Sequence, residues 1–498
     1  MRRRESGVLL HVTSLPSRYG IGDLGPEAYK WADFLAETKQ SIWQILPLNP
    51  TEPAHGNSPY QSLSAYAGNP LFISPDFLLE NGWLKKTDLD AVPTYSETHV
   101  DYAAVVAFKS GLFEAAYGRF QQSVPPYEYE RFCLENTGWL DDYALFKTLH
   151  GHFAGKIWTD WPQEIQDKNP GTLESLKNDF RDGIQFEKFL QYVFFKQWDS
   201  LKHYCNELGI RIFGDVPIYV IHDSADVWSS PELFKLDGQK KPFAVAGVPP
   251  DYFSETGQLW GNPLYQWDAL RDTGYAWWVN RVKHNARLFD ILRIDHFRGL
   301  IGYWEIPAGE TNAVNGRWVE APGEDFLRAL SGRIPNLSLV AEDLGVITPD
   351  VREIMSRFEL PGMKVLLFAF GDDLAANPYI PHNLSRHCIV YTGTHDNNTA
   401  RGWFENEAPP ETRERLFGYA GREVSIKDVP WELIRLAMMS VADRAVFPLQ
   451  DILGLGAEAR MNKPSTTEGN WRWRLLPEQL TPAIAEKLRE MTELCGRG

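Results

Sequence analysis

Short runs of apolar residues recur along the chain, and each ends in polar residues that are typical of loops. Eight of these runs are nearly continuous rather than alternating, which is the pattern of parallel strands buried on both faces of a sheet. We therefore predict eight buried strands. They cover residues 7–15, 41–48, 209–220, 288–295, 337–344, 362–370, 387–394 and 443–453.

Helical patterns alternate with several of these strands. Residues 25–39 follow the first strand, with Pro26 suited to the first turn of a helix. Residues 348–360 follow the fifth, with Thr348 as the predicted N-cap and Pro349 in the first helical position. Eight strands that alternate with helices predict an α/β fold, a (β/α)₈ TIM barrel. A doubly wound open sheet is the alternative, because hydrophobic periodicity alone does not separate the two.

The spacing of the predicted strands is uneven, which indicates inserted subdomains between barrel strands. Residues 50–190 hold several amphipathic helices and predict a mainly helical insertion after the second strand. Residues 221–275, after the third strand, are rich in proline, glycine and aromatic residues, and we predict a lid or loop insertion there. The last pattern, 480–496, is a helix, so we expect residues 1–498 to form a single catalytic barrel without a C-terminal β-sandwich.

Composition narrows the function classes. Of the 498 residues 43% are hydrophobic, which supports a large core and excludes general disorder. The net charge of −16 gives an acidic surface, so we expect neither nucleic acid nor a membrane as a partner. Aromatic residues make up 13% of the chain. This fraction fits either a core rich in aromatic side chains or a groove whose rings stack on flat ligands. We expect most of the 18 tryptophans to lie in the core.

Cysteine usage and the N-terminus predict a cytoplasmic protein. The four cysteines lack CxxC spacing, so neither a disulfide scaffold nor a structural zinc site is indicated. The basic start of the chain is followed by Glu5 and only a short apolar run, which makes a poor signal peptide. Apolar stretches are also too short to span a bilayer.

Acidic residues directly follow four of the predicted strands: Asp215, Asp295, Glu342 and Asp396. In a (β/α)₈ barrel the carboxyl ends of the strands meet at one face, so these four side chains would share one pocket. A carboxylate there is costly unless it is paired, hydrogen-bonded or catalytic. The alternative for each is that it caps a following helix or binds loop backbone.

Two carboxyl groups that flank a bond are the minimum for glycoside cleavage. Arg293 precedes Asp295 by two residues and points to the same side of a strand, where its charge would keep Asp295 ionised as a nucleophile requires. Glu342 follows an apolar run, where burial would raise its pKa as an acid requires. A plain ion pair of Arg293 and Asp295 is the alternative.

The segments RIDHFRG, AEDLG and THDN, in this order, resemble the catalytic signatures of the α-amylase clan. Longer segments narrow the resemblance to the amylomaltases, the bacterial disproportionating 4-α-glucanotransferases. These segments are LLHVTSLPSRYGIGDLG, GNSPYQSLSAYAGNPLFIS, GVPPDYFSETGQLWGNP and EARMNKPSTTEGNWRWR. The resemblance covers nearly the whole chain and implies a barrel with inserted subdomains and no C-terminal sandwich.

The resemblance also implies a role for each site residue. Asp295 would be the nucleophile that forms a covalent glucosyl-enzyme intermediate, Glu342 the general acid/base, and Asp396 the group that binds the distorted sugar and stabilises the transition state. The other implied residues all bind substrate. Tyr60, Asp215, Arg293 and His395 would line the subsite of the cleaved glucose, Trp260 and Asn462 would hold the chain nearby, and Tyr252 and Phe253 would form part of a lid.

Two positions depart from the pattern of the amylomaltases. Ser465 stands where a glycine is expected, and Leu367 stands where a polar residue is common. Neither is one of the four acids, so the departures concern acceptor preference or loop shape rather than the reaction.

The activity implied is transfer of α-1,4-glucan segments from a donor chain to an acceptor glucan or glucose by a retaining double displacement. An aromatic lid over residues 249–263 would exclude water and position the acceptor sugar. An α-glucan hydrolase with the same site is the first alternative, and a non-catalytic glucan-binding protein is the second. The expected partners are α-1,4-glucans such as malto-oligosaccharides, starch or glycogen, with no cofactor and no metal; the oligomeric state is left open.

Overall fold

The computed structural model describes residues 4–250 and 254–498, and these residues form twelve β-strands. The strands are β1 (Glu5–Leu9), β2 (Ile42–Gln44), β3 (Arg211–Val216), β4 (Ala244–Val248), β5 (Gln258–Pro263), β6 (Ile291–Ile294), β7 (Gly302–Pro307), β8 (Arg317–Glu320), β9 (Leu339–Ala341), β10 (Gly362–Val365), β11 (Cys388–Tyr391) and β12 (Arg444–Pro448).

Eight of the strands form one parallel sheet in the order β10-β11-β12-β1-β2-β3-β6-β9. The two end strands meet, because the Ala341 N–H donates a hydrogen bond of 3.0 Å to the Pro361 carbonyl next to β10. The sheet therefore curls into a nearly closed barrel, which confirms the predicted TIM barrel and excludes the doubly wound alternative. Each of the eight predicted strands overlaps one barrel strand, and seven contain it whole; β1 begins two residues before the first predicted range.

Helices surround the barrel. Pro26 and Pro349 occupy first-turn positions, and Thr348 is at an N-cap, as the sequence predicts. The helices are α1 (Pro26–Glu37), α2 (Pro75–Glu80), α3 (Tyr102–Phe120), α4 (Tyr127–Glu135), α5 (Thr137–His152), α6 (Gln163–Gln166), α7 (Pro170–Asp179), α8 (Arg181–Glu207), α9 (Ala225–Ser229), α10 (Trp267–Asp272), α11 (Ala276–Leu288), α12 (Gly323–Arg333), α13 (Pro349–Arg357), α14 (Ala400–Asn406), α15 (Pro410–Ala420), α16 (Val429–Met439), α17 (Leu449–Ile452) and α18 (Pro482–Leu494).

Helices α2 to α8 fill the long connection between β2 and β3 and pack against the loop that leaves β2. The Gln191 side chain of α8 bonds both the N–H and the carbonyl of Gly68, at 2.8 and 3.0 Å. From α3, the buried Lys109 ammonium donates to the carbonyls of Leu71 and Ile73 at 2.7 and 3.0 Å. These buried contacts fix the loop that carries Tyr60. The bounds 50–190 of a helical subdomain stay a prediction.

A second, antiparallel sheet stands beside the barrel in the order β5-β4-β7-β8. Strands β4 and β5 lie within the segment 221–275, so that segment is more regular than its loop-like sequence indicates. Its function as a lid stays a prediction.

The core takes most of the aromatic residues. Eleven of the 18 tryptophans are buried, which agrees with the expectation that most of them are core residues.

Among the described residues, a search for helices with the length and hydropathy of a membrane span finds none. The backbone at Ser465 has a φ of 64°, in the left-handed region that glycine adopts most easily, so a glycine would be less strained there than the serine.

Candidate active site

The four predicted acids lie at the carboxyl ends of barrel strands. Asp215 is in β3, and the strand register places it directly opposite Arg293 of β6. Asp295 follows β6, Glu342 follows β9, and Asp396 lies in the loop after β11. Because these strands are neighbours in the barrel or face each other across it, their ends form one polar patch at one face.

Arg293 joins two of the acids. Its guanidinium donates one hydrogen bond to Asp215 Oδ2 and another, of 2.5 Å, to Asp295 Oδ1. Asp215 and Arg293 are buried, whereas the side chain of Asp295 is 30% exposed. Burial alone would lower the pKa of Arg293, but the charges of Asp215 and Asp295 outweigh it and hold the pKa well above its usual value. Asp295 therefore faces the pocket beside a permanent cation.

Glu342 has the opposite electrostatic setting. Its Oε2 accepts a hydrogen bond of 2.9 Å from the His296 N–H, and its Oε1 accepts one of 2.7 Å from the Leu344 N–H. Burial, followed by the negative charge of Asp295, raises the pKa of Glu342 to about 8, against the opposing effect of Arg293. At neutral pH Glu342 thus carries a proton in a wall of the pocket.

Tyr60 and His395 connect Asp215 to Asp396. The Tyr60 hydroxyl donates to Asp215 Oδ2 at 2.7 Å and lies 2.8 Å from His395 Nε2. Since the hydroxyl proton goes to the carboxylate, His395 Nε2 is the donor in the second bond. The two rings stack at 5.2 Å between centroids with 15° between their planes. His395 Nε2 is also 3.3 Å from Asp396 Oδ2.

The remaining predicted substrate-binding residues lie on flanking segments. Asn462 Nδ2 donates to Asp396 Oδ1 at 2.6 Å. The half-buried Trp260 of β5 places its ring edge-to-face against His296, with 4.8 Å between centroids. Tyr252 and Phe253 lie outside the described residues, so their place in a lid stays a prediction. The structure thus brings the other nine predicted residues into one connected site.

Three further residues support this site, and the residue-by-residue reasoning from sequence did not single them out. His296 has a left-handed backbone (φ 48°), which directs its N–H to Glu342, and burial lowers the pKa of its imidazole to about 4. Arg460 donates to the carbonyls of Asp396 and Asn462 at 2.6 and 2.7 Å. Trp471 lies 5.9 Å from the Tyr60 ring. Their only signal was their position inside the motifs RIDHFRG and EARMNKPSTTEGNWRWR.

The arrangement suits acid–base and nucleophilic chemistry on an uncharged ligand. The Asp295 carboxylate, paired with Arg293, and the protonated Glu342 carboxyl group stand on neighbouring strand ends, and other hydrogen-bonding side chains surround them. Within residues 4–250 and 254–498, the His, Cys, Asp and Glu side chains form no group of three or more that could hold a metal ion.

Known proteins match this chain along nearly its full length. A model of the 4-alpha-glucanotransferase family matches residues 10–480. A 4-alpha-glucanotransferase of Synechocystis is 49% identical, over 99% of this chain and 98% of its own length. That of Thermus thermophilus is 46% identical, over 99% of each chain.

Solved structures agree with these sequence matches. The amylomaltase from Streptococcus agalactiae, solved in complex with acarbose, superposes with a TM-score of 0.96 at 39% identity and covers all of both chains. The chain therefore belongs to the 4-alpha-glucanotransferase family and is a glycosyl-transferring enzyme with the amylomaltase fold.

Proposed function

We propose that the chain transfers segments of α-1,4-glucan by a retaining double displacement in which Asp295 is the nucleophile and Glu342 the general acid/base. The observation that carries this proposal is the opposed electrostatics of the two carboxyl groups. Arg293 donates a hydrogen bond of 2.5 Å to Asp295, whereas the pKa of Glu342 rises to about 8. In a retaining enzyme the two carboxyl groups stand about 5–5.5 Å apart.

In the first step, the Asp295 carboxylate attacks C1 of the sugar at the cleaved bond. The bond between C1 and the bridging O4 breaks, and the Glu342 proton passes to O4, so that the reducing-end part of the donor leaves as an alcohol. The pair of electrons from the broken bond stays on that oxygen. Asp295 is left as an ester, and Glu342 as a carboxylate.

In the second step, Glu342 takes the proton of the acceptor's 4-hydroxyl, and that oxygen attacks C1. The ester bond breaks and returns its electron pair to Asp295, which completes the cycle with the original configuration at C1. If water replaces the acceptor, the same step is hydrolysis. We propose that the segment 249–263, with Tyr252, Phe253 and Trp260, favours the sugar acceptor by excluding water.

The other site residues hold the sugar. We propose that Asp396 accepts hydrogen bonds from hydroxyl groups of the distorted ring, and that Asn462 and His395 keep its carboxylate in place, as their contacts of 2.6 and 3.3 Å support. Tyr60 and Asp215 would shape the wall of the same subsite. Neutral hydrogen-bond partners and stacked rings are the groups that recognise an uncharged sugar.

We also propose α-1,4-glucans as the partners and the cytoplasm as the location. Four free cysteines among the described residues support a reducing compartment. The acidic surface is compatible with a neutral polymer as the ligand.

Incubation with maltotriose tests the proposed roles. We expect glucose together with a ladder of longer oligomers, and we expect Asp295→Asn and Glu342→Gln to lower the rate by on the order of 10³-fold or more. Asp290→Asn, a substitution of a partly exposed acid before β6, is the matched control and should keep the ladder. Shorter sugars alone would instead indicate the hydrolase, and a fully active Asp295→Asn would overturn the assignment of the nucleophile.

A further inference from the structure

A second groove lies on the flank of the barrel, between the helices that follow β2 and those that follow β3. The first turn of α5, helix α9 and helix α11 form its walls, together with the loop that carries Tyr66. The space between the walls measures about 320 Å³, which lies within the range of ligand pockets. None of the described catalytic or substrate-binding residues lines it.

Three aromatic side chains form the apolar part of this groove. Tyr66 and Trp139 are nearly parallel, with 6.2 Å between ring centroids and 13° between planes, and Trp277 stands across Tyr66 at 84°. Both tryptophans are half-buried. Phe195 and His284 pack against Trp139 from the core side, at 5.8 and 5.5 Å. The platform is therefore held in place before any ligand binds.

Exposed polar side chains also line the groove that holds the aromatic platform. Asp142, Asn280 and Lys283 line the groove and are exposed. Among the described residues, their side chains make no hydrogen bond or ion pair with one another or with other side chains. An acidic, an amide and a basic group in one groove offer both donors and acceptors and favour no single sign of ligand charge.

We propose that this groove is a second binding site for an α-glucan chain, separate from the catalytic acids. Flat aromatic surfaces suit the apolar faces of glucose rings, and the mixed donors and acceptors at the rim suit its hydroxyls. The polymer that the enzyme processes offers many identical segments, so a site on the flank can hold one part of a chain while another part reacts. This inference rests on the proposed glucan substrate.

Gly138 offers a way to block the groove without disturbing the core. It lies in α5 and lines the groove, and an added Cβ at this position would meet nothing within 4 Å. Gly138→Leu therefore places a branched side chain in the groove, whereas Gly138→Ala adds only a methyl group. Both favour the helix over glycine, so neither is expected to unfold the protein. The pair serves as blocking variant and matched control.

Calorimetric titration with maltoheptaose is the test, carried out in an Asp295→Asn background so that nothing turns over. We expect two classes of sites with Gly138 or Gly138→Ala and one class with Gly138→Leu. The double variant Asn280→Ala/Lys283→Ala should weaken the same class without filling space. If Gly138→Leu leaves the isotherm unchanged, the second site is wrong while the active site stands. If maltoheptaose does not bind at all, the proposed substrate fails as well.

Kinetics give an independent readout of the same variants in the active enzyme. With glycogen as donor, Gly138→Leu should raise the half-saturating concentration on the order of tenfold. With maltotriose, which is too short to reach both sites, the rate should equal that of Gly138→Ala. An equal effect on both donors would overturn the proposal, since it would locate the change at the catalytic site.

Discussion

Two carboxyl groups of similar intrinsic acidity are set apart by their immediate neighbours. Arg293 donates hydrogen bonds to Asp295 and Asp215, whereas the Glu342 oxygens accept, among the described residues, from the backbone N–H groups of His296 and Leu344. Burial and the nearby charge of Asp295 then favour the protonated form of Glu342. These contacts support the proposed roles of Asp295 as nucleophile and Glu342 as acid.

The pH dependence of the reaction should report the ionisation of Glu342. As the proposed acid, Glu342 must be protonated in the free enzyme. Its pKa is raised to about 8, so kcat/KM should be constant below that pH and fall about tenfold per unit above it. Initial glucose release from maltotriose, measured from pH 6 to 10, checks this. With α-maltosyl fluoride, whose leaving group needs no proton, the fall should be much smaller; an identical fall would remove Glu342 from the role of acid.

Tyr60→Phe should lower kcat/KM and have a smaller effect on the free energy of unfolding. It removes the hydroxyl that bridges Asp215 and His395 at 2.7 and 2.8 Å, so both groups lose a partner next to the reacting sugar. We expect kcat/KM for maltotriose to fall on the order of 10- to 100-fold, corresponding to about 1–3 kcal/mol. Tyr275→Phe is the control, because its hydroxyl donates to Asp325 at 2.6 Å on the outer helices. Equal activity losses in both would contradict a local role for Tyr60.

Sequence reasoning found the acids because each follows an apolar run, and Arg293 because strand residues two apart share a side. It missed the parts that depend on backbone conformation or long-range contact. The left-handed φ of His296 aims its N–H at Glu342, and Arg460 reaches the Asp396 carbonyl over 64 positions. Neither feature leaves a pattern in hydrophobicity or spacing.

At the scale of elements, the eight barrel strands were predictable because burial on both faces leaves continuous apolar runs. Several predicted runs extended past the strand end; residues 209–220, for example, contain only Arg211–Val216 as a strand. Two of the proposed site residues, Asp295 and Glu342, are among the residues past the strand ends. Strands β4 and β5 were missed because β5 contains glycine and proline and the segment reads as a loop.

Gly214→Ala tests how closely β3 packs against the Phe289 ring. A Cβ at this position would lie 2.2 Å from the Phe289 ring, so the strand or the ring must shift, next to Asp215. We expect a loss of about 1–3 kcal/mol in the free energy of unfolding, together with reduced activity. Gly111→Ala on α3, where the Cβ meets nothing, should instead gain about 0.5–1 kcal/mol. Urea unfolding followed by circular dichroism checks both; an unperturbed Gly214→Ala would contradict tight packing at β3.

At the scale of the whole molecule, the barrel brings the strand ends that carry the acids to one face, and the inserted segments surround that face. The fold followed from strand count and alternation, but closure needed a contact between β9 and β10 that no local pattern shows. The same holds for the flank groove, whose walls come from α5, α9 and α11, far apart in sequence. The charge of −16 has no assigned role beyond the few acids of the site.

Trapping the covalent intermediate tests the central mechanism most directly. In Glu342→Gln, α-maltosyl fluoride should still react with Asp295, because fluoride leaves without a proton, but the second step lacks its base and the ester should accumulate. Mass spectrometry of a protease digest should then find one maltosyl group on the peptide that contains Asp295. A maltosyl group on another residue, or rapid turnover without any adduct, would contradict Asp295 as the nucleophile.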